Sequence, residues 1–367
     1  MTTITAATAQ VIARQSPSRL NTSYGDALDV RERVIVALTT DDGTVGLGEA
    51  SPLPFFTGET VASIEVQLRR HLLPLVVGRS PFALNAILTD LERLPENTSA
   101  KAAIDIALYD LQGKLLGRPV VDLLGGAVRD RVPITFPIGI DPVGEAVAKA
   151  EAAVARGIGT LKLKIGRNPE ADVERVRAIR AAVGPAVKLR IDANAGYTAP
   201  VATRLIDRLA TADLEYVEQP VAAWDRAGMA AVRQATGVPI MADESLHNLR
   251  DALELIARQA VDIFAIKLIK TGGLTQARAI AQLAAAHRID LVVISPFETQ
   301  IGAAAGLALA LAAPTAGRAH ELRVFDSQPE DAVTDIVVRD GAIHPSGAPG
   351  LGIEGLRELG FDTAPTR

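Results

Sequence analysis

Cysteine is absent from this chain of 367 residues, which excludes disulfides and thiolate metal ligands and fits a reducing compartment. An excess of basic charge is missing too. The net charge is -5 with acids and bases interspersed, so no face advertises nucleic acid. The opening MTTITAATAQVIARQ lacks a charged region followed by an apolar one, so no signal peptide is expected. The most lipid-like run, residues 301–313, falls short of the roughly 20 residues that span a bilayer. Its glycines and alanines suit a helix packed closely on a barrel instead. A dinucleotide fingerprint is also lacking. Gly46 and Gly48 in TVGLGEA have no third glycine and no helix directly after them, which leaves a bulge or close packing as their role. Together these absences predict a cytoplasmic protein with neither membrane nor nucleic-acid partners.

What is present is ample apolar material, 48% of residues, in a length that suits one large barrel plus a smaller unit. Residues 1–50 alternate like antiparallel strands, and RVIVALTT with DDGTVGLGEA reads as a hairpin turning at Asp42-Gly43. From Gly58 the pattern turns helical, with Ile104, Leu108, Leu111 and Leu115 forming a core-facing stripe. Strands followed by helices predict an α+β capping domain over residues 1–130. From Val132 apolar runs at 132–138, 160–165, 187–192, 214–218, 238–243, 262–268, 290–295 and 318–322 alternate with helical stretches. That rhythm predicts βαβ units closed into a parallel barrel over 131–322, with residues 323–367 returning to the cap.

Lys164, Asp192, Glu218, Asp243 and Lys267 close five of these runs at steps of 24 to 28 residues, about one strand-helix unit each. In a parallel barrel the C-terminal strand ends converge where active sites are built. Alternation puts Lys162 and Lys164 on one face of their strand and Leu161, Leu163 and Ile165 on the other. The apolar set belongs against the outer helices, so both lysines face the interior. Two adjacent ammonium groups repel, which predicts a lysine pKa lowered toward the range of a general base. Asp192, Glu218 and Asp243 offer three hard oxygen ligands on adjacent strands, chemistry that suits Mg²⁺ or Mn²⁺. Such an ion beside a substrate carboxylate, with a lysine base, is the combination of enolate-forming sites. Lys270-Thr271-Gly272-Gly273 reads either as a backbone cradle for a carboxylate or as a plain strand-helix turn. Of five scattered histidines, only His247, just past a strand end in ADESLHN, is a candidate for the site.

The ordered set KLKIG, DANAGY, EQP, ADES and IKLIKTGG resembles the enolase superfamily, specifically its muconate-lactonising subgroup. GLGEASPLP and AKAAIDIALYDLQGKLLG resemble that family's cap, and PGLGI resembles its C-terminal return. The resemblance implies a modified (β/α)7β TIM barrel with an α+β capping domain. It makes Lys164 the proton-handling lysine with Lys162 beside it, and Lys267 the acid/base on the opposite face. It also implies Asp192, Glu218 and Asp243 as Mg²⁺ ligands, with Mn²⁺ a substitute. Asn194 would support the metal site, and Glu298 matches an acidic residue at the next strand end. Two cap loops, near Arg19–Tyr24 and Ser51–Thr57, would read a small carboxylate substrate. Tyr24 lies in the first, and Phe55 and Phe56 in the second form an apolar lid or pack the cap on the barrel.

Among the reactions of such barrels, ISPFETQIG lacks the histidine of a mandelate-racemase-like variant. AHELRVFD lacks the Asp-x-Asp with which dipeptide epimerases hold an ammonium group, although Glu321 is a substitute. The balance of motifs leans to a muconate-cycloisomerase-like isomerase. The alternatives are N-succinylamino-acid racemase, o-succinylbenzoate synthase and dipeptide epimerase. A sugar-acid dehydratase and a non-catalytic metabolite-binding barrel stand behind these. Assembly as a homo-oligomer is expected.

Overall fold

The computed structural model describes residues 2–15, 20–25, 30–327 and 334–353. Three antiparallel strands, β1 (Ile4–Gln15), β2 (Val30–Thr40) and β3 (Val45–Ala50), open the chain as one sheet in that order. Asp42 and Gly43 turn the β2–β3 hairpin, and Gly43 takes a φ of 84° that a side chain disfavours. The sheet lies on the helix Thr98–Leu116, where Ile104, Leu108 and Leu111 are buried and Leu115 is half-buried. A Cβ at Gly48 would stand 1.8 Å from the Ala103 carbonyl oxygen, and one at Gly46 2.4 Å from that of Ala107. These glycines therefore serve close packing of sheet on helix.

After β4 (Val132–Pro133), seven parallel strands form one curled sheet: β5 (Phe136–Ile138), β6 (Thr160–Lys164), β7 (Lys188–Asp192), β8 (Leu214–Glu218), β9 (Ile240–Ala242), β10 (Ile263–Ile266) and β11 (Asp290–Val293). They stand side by side in chain order. The eighth run closes the ring through two parallel bridges, Ile134 with His320 and Ile294 with Glu321. The Thr135 amide donates to the His320 carbonyl at 2.8 Å and the Ser295 amide to that of Glu321 at 3.0 Å. Two further strands, β12 (Val337–Arg339) and β13 (Ala342–His344), extend from β4: β13 pairs with β4, and β12 pairs with β13.

Leu161, Leu163 and Ile165 join the large core between strands and outer helices, as their alternation requires. The interior carries a polar layer in register, Lys162 beside Arg190 beside Tyr216. Arg190 is held there through Nε and Nη1 by Glu215 at 2.6 Å, the Thr135 hydroxyl at 2.8 Å and the Ala319 carbonyl at 2.8 Å, while its Nη2 is buried without a hydrogen-bond partner. Two cap carboxylates sit at the N-termini of barrel helices, where unpaired amides and the helix dipole favour negative charge. Asp105 accepts from the Thr275 amide at 3.1 Å and its hydroxyl at 2.6 Å, at the start of Leu274–Ala286. Glu49 accepts from the Thr299 amide at 2.9 Å, its hydroxyl at 2.6 Å and the Gly302 amide at 3.1 Å, at the start of Gln300–Ala312. Among the described residues, no helix is long and apolar enough to cross a membrane.

Candidate active site

Every charge expected at a strand end lies at one mouth of the barrel. Asp192 and Glu218 are partners in register, Asp243 follows β9 directly, and all three side chains are wholly buried. Lys164 Nζ lies 2.5 Å from Asp192 and 3.0 Å from Asn194 Oδ1. Lys162 Nζ lies 3.3 Å from Asp192, 3.1 Å from Glu218 and 2.6 Å from Glu321. Lys267 donates to Asp243 Oδ2, while Lys270, three residues on, sits 2.6 Å from Oδ1.

Charges this deeply buried are stable only when paired, and the pairing fixes their proton affinities. Burial alone would depress the Lys162 pKa, but Glu218, Glu321 and Asp192 overcome it and hold the ammonium well above its ordinary range. For Lys267, burial is likewise overcome, by Asp243 and Glu244, and the pKa rises. The lowered pKa expected from mutual repulsion of Lys162 and Lys164 is therefore not found for Lys162. Attraction to carboxylates in direct contact outweighs repulsion between ammonium groups. Asp192 and Asp243 move down against burial, Asp192 through Lys164 and Lys162, Asp243 through Lys267 and Lys270. Glu218 moves up, through burial and then Asp192, and its Oε1 is buried without a hydrogen-bond partner.

The remaining predicted residues divide. Asn194 bridges Lys164 to Glu244, donating to the latter at 3.1 Å. Tyr24 donates to the same Glu244, stacks on Phe55 at 5.7 Å and 1°, and meets the edge of Phe56. Phe56 in turn covers Lys267, whose Nζ lies 3.8 Å from the ring centroid, a cation–π contact. The two cap segments thus meet over the site, although Arg19 lies outside the described residues. Glu298 is buried with Glu49, Arg33 and Lys267 as its charged neighbours, and burial followed by Glu49 pushes its pKa up to about 8.

Sequence reasoning missed Lys270 as a partner of Asp243. In the KTGG segment, the Lys270 and Thr271 amides are bonded to the Lys267 carbonyl and those of Gly272 and Gly273 to Leu268. This is the plain turn, with no amides left to cradle a carboxylate. Its i, i+3 spacing from Lys267 was the available signal, since such spacing brings two side chains to one side of a helical turn. Glu244 was missed as well, although it directly follows Asp243. His247 is half-buried, with its amide on Asp251, and burial and then Lys270 lower its pKa. Among the described residues, no three side chains stand close enough to hold a metal ion as they are. Asp192 and Asp243 are turned to lysines instead.

Residues 4–125 match the mandelate racemase / muconate lactonizing enzyme N-terminal domain, and residues 145–359 match the enolase C-terminal domain-like family. The chain is 39% identical to the L-Ala-D/L-Glu epimerase of Bacillus subtilis, over 89% of this chain and 90% of that one. The dipeptide epimerase of Enterococcus faecalis, crystallised with Mg and L-Leu-L-Tyr, superposes with a TM-score of 0.91 at 34% identity, covering 96% of this chain and all (100%) of that one. The muconate lactonizing enzyme of Pseudomonas fluorescens, complexed with muconolactone, gives 0.93 at 31% identity, with 98% and 99% covered. The chain is an isomerase of the enolase superfamily and belongs to its muconate-lactonizing-enzyme-like subgroup.

Proposed function

We propose that this isomerase moves a proton at the carbon next to a substrate carboxylate, taking it from one face and returning it on the other. The substrate class that fits is an N-acylated α-amino acid, which includes dipeptides. The observation that carries this reading is the placement of two lysines. Lys164 ends the second strand of the ring and Lys267 follows the sixth, so in a ring of eight they stand on opposite sides. Two opposed bases are what inversion at carbon requires, whereas a single acid/base suffices for lactone formation. Glu321 is held by Lys162 at 2.6 Å, and Arg323 stands where a second acid of an Asp-x-Asp pair would lie. Within this class, that arrangement favours N-acyl groups that carry no free ammonium, such as N-succinyl, over dipeptides.

Asp192, Glu218 and Asp243 would hold Mg²⁺, with Mn²⁺ as a substitute. The donor set is all hard oxygen, and the unpartnered Glu218 Oε1 supports the fit. When bound, the ion supplies positive charge that stabilises an enolate and orients the substrate carboxylate. Lys164 and Lys267, released from Asp192 and Asp243, then each face one side of the α-carbon. Phe55, Phe56 and Tyr24 exclude water, and Asn194 with Glu244 braces the end of β7.

Proton NMR in D₂O with Mg²⁺ tests the proposal on N-succinylamino acids, dipeptides and cis,cis-muconate. Loss of the α-proton from both epimers of an N-acylated amino acid is expected, and a chelator should stop it until Mg²⁺ or Mn²⁺ is returned. Lactone from muconate without such exchange would replace this reading with the cycloisomerase one. Turnover that survives complete metal removal would sink the ligand assignment.

A further inference from the structure

Behind Lys164 lies a largely buried group, Asp172 and Arg175 with the half-buried Tyr197, whose side chains bond to none of Asp192, Glu218 and Asp243. The helix Pro169–Val183 starts at Asn168, whose side chain accepts from the Glu170 and Ala171 amides, with Pro169 in its first turn. That start sets Asp172 and Arg175 one turn apart on the side facing β6, and both are buried. Arg175 Nη2 donates to the Lys164 carbonyl at 2.8 Å and to Asp172 Oδ1 at 2.5 Å. Asp172 Oδ2 accepts from the Gly166 amide at 2.9 Å and from the Tyr197 hydroxyl. The Ile165 amide donates to the Asp192 carbonyl at 2.9 Å, so the peptide unit after Lys164 is held on both edges. Gly166 has a φ of 113°, and a Cβ there would stand 2.4 Å from the Ala193 carbonyl oxygen.

We infer that Asp172, Arg175 and Tyr197 are positioning residues for Lys164, tying the end of β6 to the loop that follows β7. Plain fold support explains the arrangement less well. The bonds fall on the two peptide units directly after the lysine, and Tyr197 comes from the segment that also carries Asp192 and Asn194. A long side chain swings from its backbone anchor, so loosening that anchor displaces Nζ by more than it displaces the strand. Lys267, on the opposite side of the ring, has no member of this group among its contacts. The device therefore acts on one base only.

This inference rests on the two-base reading, and the experiment separates the two. Solvent-deuterium exchange is followed separately for each epimer of N-succinylphenylalanine and of L-Ala-Glu with the Mg²⁺-loaded protein. Lys164→Ala and Lys267→Ala assign one base to each epimer. Arg175→Met is expected to slow the Lys164-dependent epimer about 10- to 100-fold while the other stays within about twofold, the scale of a displacement near 1 Å. Tyr197→Phe, a milder change, should shift the same ratio in the same direction. Equal slowing of both epimers, with the melting temperature lowered, would reduce the group to fold support and overturn the inference. If the wild-type protein exchanges neither probe, or the lysine variants do not divide the epimers, the two-base reading fails instead. The crystal structure of Arg175→Met then decides alone, because Lys164 still 2.5 Å from Asp192 refutes the positioning role and a displaced Nζ supports it.

Discussion

Replacing Glu49 with alanine tests what fastens the cap to the barrel. The side chain is fully buried and accepts three hydrogen bonds at the start of Gln300–Ala312, with Arg33 3.7 Å away as its counter-charge. Hydrogen bonds to a charged group contribute about 1.5–3 kcal/mol each, and removing one partner of a buried ion pair costs about 3–5 kcal/mol. The bonds share one carboxylate and do not add, so the expected loss is about 3–5 kcal/mol. Unfolding entropy of about 2.1 cal/mol/K per residue gives about 0.8 kcal/mol/K for 367 residues, which converts the loss to about 4–6 °C in Tm. Differential scanning calorimetry measures it. Glu49→Gln keeps the shape and part of the bonding, and should cost about 1–2 kcal/mol, hence about 1–3 °C. A Glu49→Ala protein within about 1 °C of wild type would refute the reasoning, since an exposed or already relaxed carboxylate is the only site that costs so little.

Lys164→Ala and Lys267→Ala should each fold with unchanged circular dichroism and lose about 10²- to 10⁴-fold in epimerisation, the worth of a positioned acid or base. Steady-state rates on the substrate found by NMR decide this, and a variant retaining more than a tenth of the activity contradicts its role. Glu298, with its pKa near 8, keeps a proton that the unfolded chain gives up near 4.5. Its burial therefore withdraws stability as pH rises through that window, fully so above about 8. Glu298→Gln should flatten the melting temperature against pH between 5 and 9, and parallel curves for the two proteins would exclude the shift. Phe55, 71% exposed, contributes little to the core, so Phe55→Ala and Phe56→Ala should raise KM with little change in melting temperature. Unchanged KM and kcat with a lowered Tm would return both rings to packing.

The barrel and its mouth were legible because alternation is local. In TLKLKIG the apolar residues name the outer face, so both lysines must turn inward, and they do. The eighth strand was legible as an apolar run but not as two bridges, since its length depends on what the neighbouring strand ends offer. Proton affinities were not legible. Whether Lys162 goes up or down turns on Glu218 and then Glu321, and the latter approaches from the far end of the barrel sequence. Glu49 is a similar case, for its partner Thr299 lies 250 positions away and nothing in GLGEA announces it. Lys270 hid because KTGG has a complete account as a turn.

The near-contact of Gly48 with the Ala103 carbonyl bears on how the molecule moves. No side chain fits at Gly48 or Gly46, and the side chains around them interlock, so sheet and helix resist sliding and the cap behaves as one block. That block is pinned twice, by Glu49 from the sheet and by Asp105 from the helix, to two different barrel helices. A body held at two separated points keeps only the line through them as an axis, so any swing of the cap is confined to that one direction. On the proposed function, substrate would enter past the short segments 20–25 and 51–57, which bring Tyr24, Phe55 and Phe56 together over Lys267.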